Sequence, residues 1–398
     1  MPGFIPYGAY WSTPFVRWQG AFAHLNSIEF AAHVTKAEMA ARGIAPDQLD
    51  HCAYGLTVIQ PGSFYATPWF TAMIGAGALP GPTMNQACAT GPRLLSSVLG
   101  EIAQGNACCA LIASGDRTSN GAHVYYPAPA GPGGTGQSED WVLGSFNHDP
   151  WAKGAMVDTA ENVARREGIT TAEQHEVVLH RHAQYQAALA NDRAFQRRYM
   201  AASFDVPDAR FRKTVASIEG DQGVHPVDPE KMARLAPVRE GGSVTFAGQT
   251  HPADGNAGMI VTDSAARAAE IAGEGTPTIE VLAVAQARED KGFMPAAPIP
   301  ATRRALERAG LAISDVTTIK SHNPFAVNDI AFARAFGLDW RDMNNFGSSL
   351  VWGHPQGPTG LRGMIEMIEE LEMRGGGIGL FQGCAAGDSA MAVLMRVS

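Results

Sequence analysis

Two stretches of this chain repeat one another at an offset of 267 residues. Residues 37–51 read Ala-Glu-Met-Ala-Ala-Arg-Gly-Ile-Ala-Pro-Asp-Gln-Leu-Asp-His, and residues 304–318 read Arg-Ala-Leu-Glu-Arg-Ala-Gly-Leu-Ala-Ile-Ser-Asp-Val-Thr-Thr. Gly43 falls on Gly310, Ile44 on Leu311 and Leu49 on Val316. Each stretch predicts an amphipathic helix, a glycine stop and then a strand. A chain built twice from one α/β unit is held to a fold of two similar halves sharing a core.

The same offset carries Cys88 to within one residue of His354. Cys88 sits in Asn85-Gln86-Ala87-Cys88-Ala89-Thr90-Gly91, and His354 in Gly353-His354-Pro355-Gln356-Gly357-Pro358-Thr359-Gly360. After Cys88 the apolar spacing of Leu94, Leu95, Val98, Leu99 and Ile102 predicts a helix closed by Gly105, then a strand over 107–114. After His354, Leu361, Met364, Ile365, Ile368 and Leu371 predict a second helix, then a strand over 378–382 that leads to Cys384. Each half therefore offers a strand-to-helix elbow near one shared site.

The stretch from Arg117 to Glu240 has no counterpart in the repeat. It opens with an irregular Gly/Pro/Ala-rich loop over 127–136 and then turns helical. Thr170-Thr171-Ala172-Glu173 is a capping box for one of its helices. A polar insertion between two repeats is expected to cover the site. The expected division is residues 1–116 for the first half, completed by about 241–268, residues 117–240 for the cover and residues 269–398 for the second half.

Two thiols and an imidazole are the groups needed to move an acyl unit between sulfur and carbon. A thiol at a helix N-terminus is expected to have a lowered pKa. A histidine fixed by a neighbouring proline suits a general base. Cys384, in Gly383-Cys384-Ala385-Ala386-Gly387-Asp388, suits proton transfer at the carbon that reacts. His322-Asn323-Pro324-Phe325 places two polar side chains at a strand end, where α/β sites gather. Taken singly, each of these also reads as a buried or turn residue.

The net charge of −9 excludes a nonspecific nucleic-acid footprint. No apolar run reaches the ~20 residues of a membrane span, and a cytoplasmic location is expected. Five cysteines, an odd and low number for 398 residues, do not form a disulfide framework. None has zinc spacing, so no intrinsic metal is expected.

These residues resemble the thiolase superfamily over nearly the whole chain. Tyr10–Phe15 through Gly20 is similar to its opening strand and turn, Met84–Gly91 to its nucleophile segment and Met156–Ala164 to its cover signature. Ala297–Ala301 is similar to the start of the second half, Gly353–Gly360 to the histidine box and Gly383–Gly387 to the second cysteine loop. The resemblance implies an α/β fold of five layers, αβαβα, made of two similar halves with mixed sheets, plus an inserted helical cover. It implies an acyltransferase without a bound cofactor that uses coenzyme A thioesters as substrates, and a homodimer or dimer of dimers. Cys88, activated by His354, would take the acyl group in a ping-pong cycle. Cys384 would exchange a proton at the second substrate's α-carbon. Backbone N–H groups would hold one thioester oxygen, and His354 with His322 the other.

The chain also departs from the family pattern. His322 stands where biosynthetic thiolases carry asparagine, a departure similar to the trifunctional-enzyme and sterol-carrier-linked branches, and Gln249–Gly255 leans toward the latter. Ala386 replaces a usual glycine, Ala155 a frequent histidine, and Gly347-Ser348-Ser349 a glycine pair. Met156, His251, Asn323, Phe325, Trp352, Ala386 and Gly387 become the substrate-binding candidates. Trp352, with Trp11, Phe64, Tyr65, Trp69, Phe146 and Trp151, suggests a bulky or aromatic 3-oxoacyl substrate. Three alternatives stay open: a C-acyltransferase working on a non-CoA acceptor beside a small OB-fold, zinc-ribbon partner; a ketoacyl synthase using two histidines; and a non-catalytic scaffold.

Overall fold

A computed structural model describes residues 3–201 and 203–398. The repeated stretches fold alike. Helix Ser27–Ala41 ends before Gly43, whose φ of +68° suits glycine, and strand His51–Gly55 follows. Helix Pro298–Ala309 ends at Gly310, φ +66°, and strand Thr318–His322 follows. In both halves a short 3₁₀ turn, Pro46–Gln48 or Ile313–Asp315, stands between glycine and strand.

Strand pairing repeats as well. His51–Gly55 runs parallel to Cys109–Arg117, which pairs antiparallel with Ala253–Thr262. Thr318–His322 runs parallel to Gly377–Ala385, which pairs antiparallel with Ser389–Val397 and, beyond it, Ile279–Arg288. The short strand Gly3–Ile5 joins the two sets. Phe4 pairs with Thr262 on one side and with Glu280 on the other. The two expected sheets are thus edges of one continuous, mixed, 11-stranded sheet.

Helices supply the remaining layers. Ser27–Ala41 packs outside the first set of strands and Pro298–Ala309 outside the second. Between them lie Thr90–Ala103 and Gly357–Met373, in contact with each other and with strands of both sets. Every residue from Gly357 to Leu371 is buried. Its apolar positions enter the main core with Leu94, Leu95 and Val98.

The insertion contains the helices Met156–Glu167 and Thr171–Arg193. The Thr170 capping box forms as read: Glu173 N donates to Thr170 Oγ1 (3.2 Å), and Thr170 N donates to Glu173 Oε2 (2.8 Å). Two hairpins were not anticipated, His123–Tyr126 with Gln137–Asp140 and Ser203–Pro207 with Thr214–Glu219. Most of their residues are exposed, so no alternation of apolar and polar residues marks them in the sequence. No helix among the described residues is long and apolar enough to cross a membrane.

Candidate active site

Cys88 sits on a sharp elbow. Gln86 N donates to Thr90 Oγ1 (2.9 Å), and Thr90 Oγ1 donates to Ala87 O (2.7 Å). Ala87 takes φ +46°, a left-handed value that swings the chain into the Thr90–Ala103 helix. The opposing elbow is tied down by Asp116. Its carboxylate accepts from Thr57 N (2.8 Å), Val58 N (2.9 Å) and Gly357 N (3.0 Å), the last at the start of the Gly357–Met373 helix. Burial pushes the Asp116 carboxyl up to about 7, against the pull of these donors.

Glycines let the two helix starts touch. A Cβ on Gly91 would lie 2.7 Å from Leu361 N, and one on Gly360 would lie 2.5 Å from Pro92 Cδ. That close approach brings the Cys88 thiol to 3.1 Å from His354 Nε2. The other ring nitrogen, Nδ1, lies 2.7 Å from Thr359 Oγ1. With Nδ1–H donated to that hydroxyl, Nε2 presents a lone pair to the thiol. The main chain of His354 is anchored too: its N–H donates to His251 O (2.9 Å).

The His322 ring stacks on that of His354, with centroids 4.0 Å apart and planes at 28°. Its Nδ1 meets Ser349 Oγ at 2.9 Å, while its Nε2 is buried without a protein partner. Burial lowers the His322 pKa to about 3. Burial, helped by His322, also holds His354 well below 6.5. Both rings are neutral at pH 7. Donor atoms of Cys88, His322 and His354 lie within 4.8 Å of one another.

Burial pushes the Cys88 thiol up to about 12, although N–H groups of Ala386 and of Cys88 itself pull the other way. The expected lowering by the helix N-terminus is outweighed by desolvation. Cys384 is fully buried and accepts a hydrogen bond from Asn328 Nδ2 at 3.2 Å. Its thiol is also raised, by burial and then by the nearby Cys88.

A cavity of about 500 Å³ opens onto Cys88, His354 and Ala386. Its wall is largely apolar, with Trp141, Phe146, Met156, Phe246, Met294 and Phe325.

Residues 9–265 match the family described as Thiolase, N-terminal domain, and residues 276–397 match Thiolase, C-terminal domain. The chain belongs to the thiolase family.

Among relatives of this thiolase, the beta-ketothiolase BktB of Cupriavidus necator is 28% identical over 388 residues, 95% of each chain. The acetyl-CoA acetyltransferase of Paracoccus denitrificans is 29% identical over 395 residues, 96% of this chain and 97% of that one. The fold is that of human mitochondrial 3-ketoacyl-CoA thiolase, at TM-score 0.89 and 24% identity, covering 100% of this chain and 99% of that one. The expected fold and family hold, and with them the enzyme class, an acyltransferase.

The cavity of this thiolase takes only part of the residues that the sequence reading assigned to it. Met156, His251, Phe325 and Ala386 line it. Trp352 does not: its ring packs edge-on against Phe15 and over the Arg362 guanidinium, inside the protein. Asn323 is likewise turned inward, donating to Asp329 (2.7 Å) and accepting from Leu350 N (3.1 Å). Gly387 lies one residue past the wall, with its carbonyl accepting from Arg288 Nε (2.9 Å). Of the aromatic candidates, Phe146 reaches the cavity, Trp11 is core, and Phe64, Tyr65 and Trp151 face solvent. Trp69 lies over Gly62 and packs against the core that holds Phe70 and Ile74. Thr359, Asn328 and Gln356 join the site without having stood out as candidates, and Ser349 stood out only as a departure from the family's glycine pair. Thr359 and Gln356 stand within the histidine segment itself, where side chains facing the ring were the signal to look for.

Proposed function

We propose that this thiolase moves an acyl group between the Cys88 sulfur and the α-carbon of an acyl-CoA, by a ping-pong route. The observation that carries the reading is the 3.1 Å approach of Cys88 Sγ to His354 Nε2. The thiol proton passes to His354 as sulfur attacks the thioester carbonyl. A new C–S bond forms, the bond to the CoA sulfur breaks, and that sulfur leaves with the proton from His354. In the second half, Cys384 takes a proton from the α-carbon of another acyl-CoA. The resulting carbanion attacks the acyl carbon, and Cys88 departs as a thiolate. Thiolysis of a 3-oxoacyl-CoA is the same path in reverse. His322 Nε2, buried without a partner, supports a role in holding a thioester oxygen.

The wall supports a bulky, uncharged acyl tail. It carries aromatic and thioether surface and no Lys, Arg, Asp or Glu, so a tail bearing a carboxylate would be desolvated there without a counter-charge. A homo-oligomer is supported by the short edge strand Thr83–Met84 and the neighbouring rings of Phe64 and Tyr65, which are 90% and 65% exposed. Sedimentation velocity is expected to give at least a dimer, and a monomer at micromolar concentration rules this out.

The direct test uses Cys384→Ala. The variant should still take an acyl group on Cys88, seen as a mass shift of its peptide. Exchange of the α-proton should fall at least about a hundredfold. Among acyl-CoAs offered, aryl or branched acyl groups should label Cys88 faster than acetyl. Faster labelling by acetyl sinks the bulky-substrate reading alone. An unlabelled Cys88 sinks the acyl-transfer reading. Unchanged turnover in Cys384→Ala favours a synthase that uses His322 and His354 as its pair.

A further inference from the structure

Gln356 holds a backbone conformation that a side chain makes costly. Its φ is +68° and its ψ −107°, a pairing that glycine enters freely and other residues enter only under strain. The residue is 6% exposed and lies on the cavity wall. The next residue, Gly357, has no room for a side chain: a Cβ there would lie 2.4 Å from Ser114 Oγ. Strain at a buried position persists where the surrounding structure or the site's function holds it. Here the side chain gains a contact with the nucleophile. Gln356 Oε1 accepts a hydrogen bond from Cys88 Sγ at 3.3 Å, beside the 3.1 Å approach of His354 Nε2 to the same sulfur.

The geometry points to Gln356 as a third catalytic residue of the Cys88–His354 pair, one whose Oε1 shares the single thiol S–H with His354 Nε2 in the resting enzyme and accepts the imidazolium N–H once the proton has moved. The proposal rests on the acyl-transfer reading above and adds a residue to it. The step is a single proton transfer from Sγ to Nε2, with Oε1 beside both ends. The ring, not the carboxamide oxygen, takes the proton, and Oε1 stabilises the charge that forms there. This matters because the surroundings of His354 disfavour its charged form, Thr359 Oγ1 at Nδ1 aside. Burial and the neighbouring His322 both oppose that form, and the Gln356 carboxamide works in the opposite direction. A buried ring with no acceptor beside it would be a poor base for a thiol that burial also holds protonated.

Two variants test this. Gln356→Gly removes the side chain and suits the backbone angles. Gln356→Asn keeps a carboxamide but shortens its reach to the sulfur. Each is treated with iodoacetamide across pH 6–10, and Cys88 modification is followed by peptide mass. At pH 7 both variants should react about tenfold more slowly than the parent, the size expected for losing one hydrogen bond to a charged group. kcat for acyl transfer should fall about tenfold with KM within about twofold, because the contact acts on the proton and not on substrate binding. Gln356→Gly should melt no lower than the parent, since strain is released. If both variants retain the parent's alkylation profile and kcat, Gln356 is a wall residue and the proposal fails. Alkylation needs no acyl-CoA, so it separates this failure from failure of the acyl-transfer reading, which would show as a parent enzyme whose Cys88 takes no acyl group.

Discussion

His354→Ala will slow acylation of Cys88 by about 10³–10⁴-fold, toward the upper end of what general-base catalysis supplies. The size follows from burial. Desolvation pushes the Cys88 thiol up to about 12, so at pH 7 the sulfur ionises only if a partner takes its proton as the new bond forms. His354 Nε2, at 3.1 Å, is the one base in direct contact among the described residues. The pH profile separates the two enzymes. In the parent, His354 is held well below 6.5, so the base form survives and the rate stays level through the range where an ordinary histidine would protonate. In the variant the thiol must lose its proton to solvent. Its residual rate should therefore climb about tenfold per pH unit from 7 upward, as expected below a pKa of about 12. Single-turnover acylation at several pH values reads both effects. A variant rate that is flat in pH, or within tenfold of the parent, would show that His354 is not the base.

Much of the fold was legible because the repeat carries its own checks. Gly43 and Gly310 end equivalent helices, and glycine is the residue a left-handed stop demands, so two helices and two strands could be placed at once. The joining of the sheets was not legible. It depends on three residues, Gly3–Ile5, whose pairing on both sides is a tertiary event with no local pattern. The candidate site shows the same division. Cys88, His354 and Cys384 stand out because small residues surround them and leave the backbone free to turn. Trp352 and Asn323 misled, since a large ring or an amide beside a catalytic residue in sequence can point either way along a short helix or strand. Trp352 lies in the short helix Ser349–Trp352, which aims its ring at Arg362 rather than at the cavity.

The largest gap concerns the Gly357–Met373 helix. Its apolar residues predict one buried face, and the opposite face carries Arg362, Glu366, Glu369 and Glu370, which periodicity alone assigns to solvent. The structure buries both faces, because Tyr199 and Asp221 of the insertion, Tyr10 of the first half and Lys320 of the second all meet the charged one. Tyr199 Oη donates to Glu366 (2.8 Å) and Tyr10 Oη to Glu369 (2.6 Å), while Arg362 reaches Asp221. Charge patterns on a single helix do not say what other segments will bring to them.

Asp221→Ala will destabilise the protein by about 3–5 kcal/mol, the cost of leaving one member of a buried ion pair alone. Arg362 Nη1 and Nη2 donate to the two Asp221 oxygens at 2.6 and 2.8 Å, and both side chains are without solvent exposure. Asp221 also accepts from Phe15 N (2.8 Å), Tyr185 Oη (2.9 Å) and Gln196 Nε2 (3.1 Å). It therefore fastens the insertion and the segment around Phe15 to the central helix, which begins just after His354. Glu366 Oε1, at 3.0 Å from Arg362 Nε, offsets only part of the loss, because it already serves Tyr199. Removing both charges should cost less than removing one, so Asp221→Ala/Arg362→Met should recover part of the stability lost in Asp221→Ala. Thermal and urea unfolding of these two variants and of Arg362→Met beside the parent measure this. Equal stability of Asp221→Ala and parent, or a double variant weaker than the single by the full Arg362 effect, would mean that the pair is independent of the charges it joins. Acylation of Cys88 in the folded fraction of Asp221→Ala should also slow. Without the Asp221 carboxylate, the insertion is held less firmly against the helix that positions the base, and the insertion supplies Phe146 and Met156 to the cavity wall.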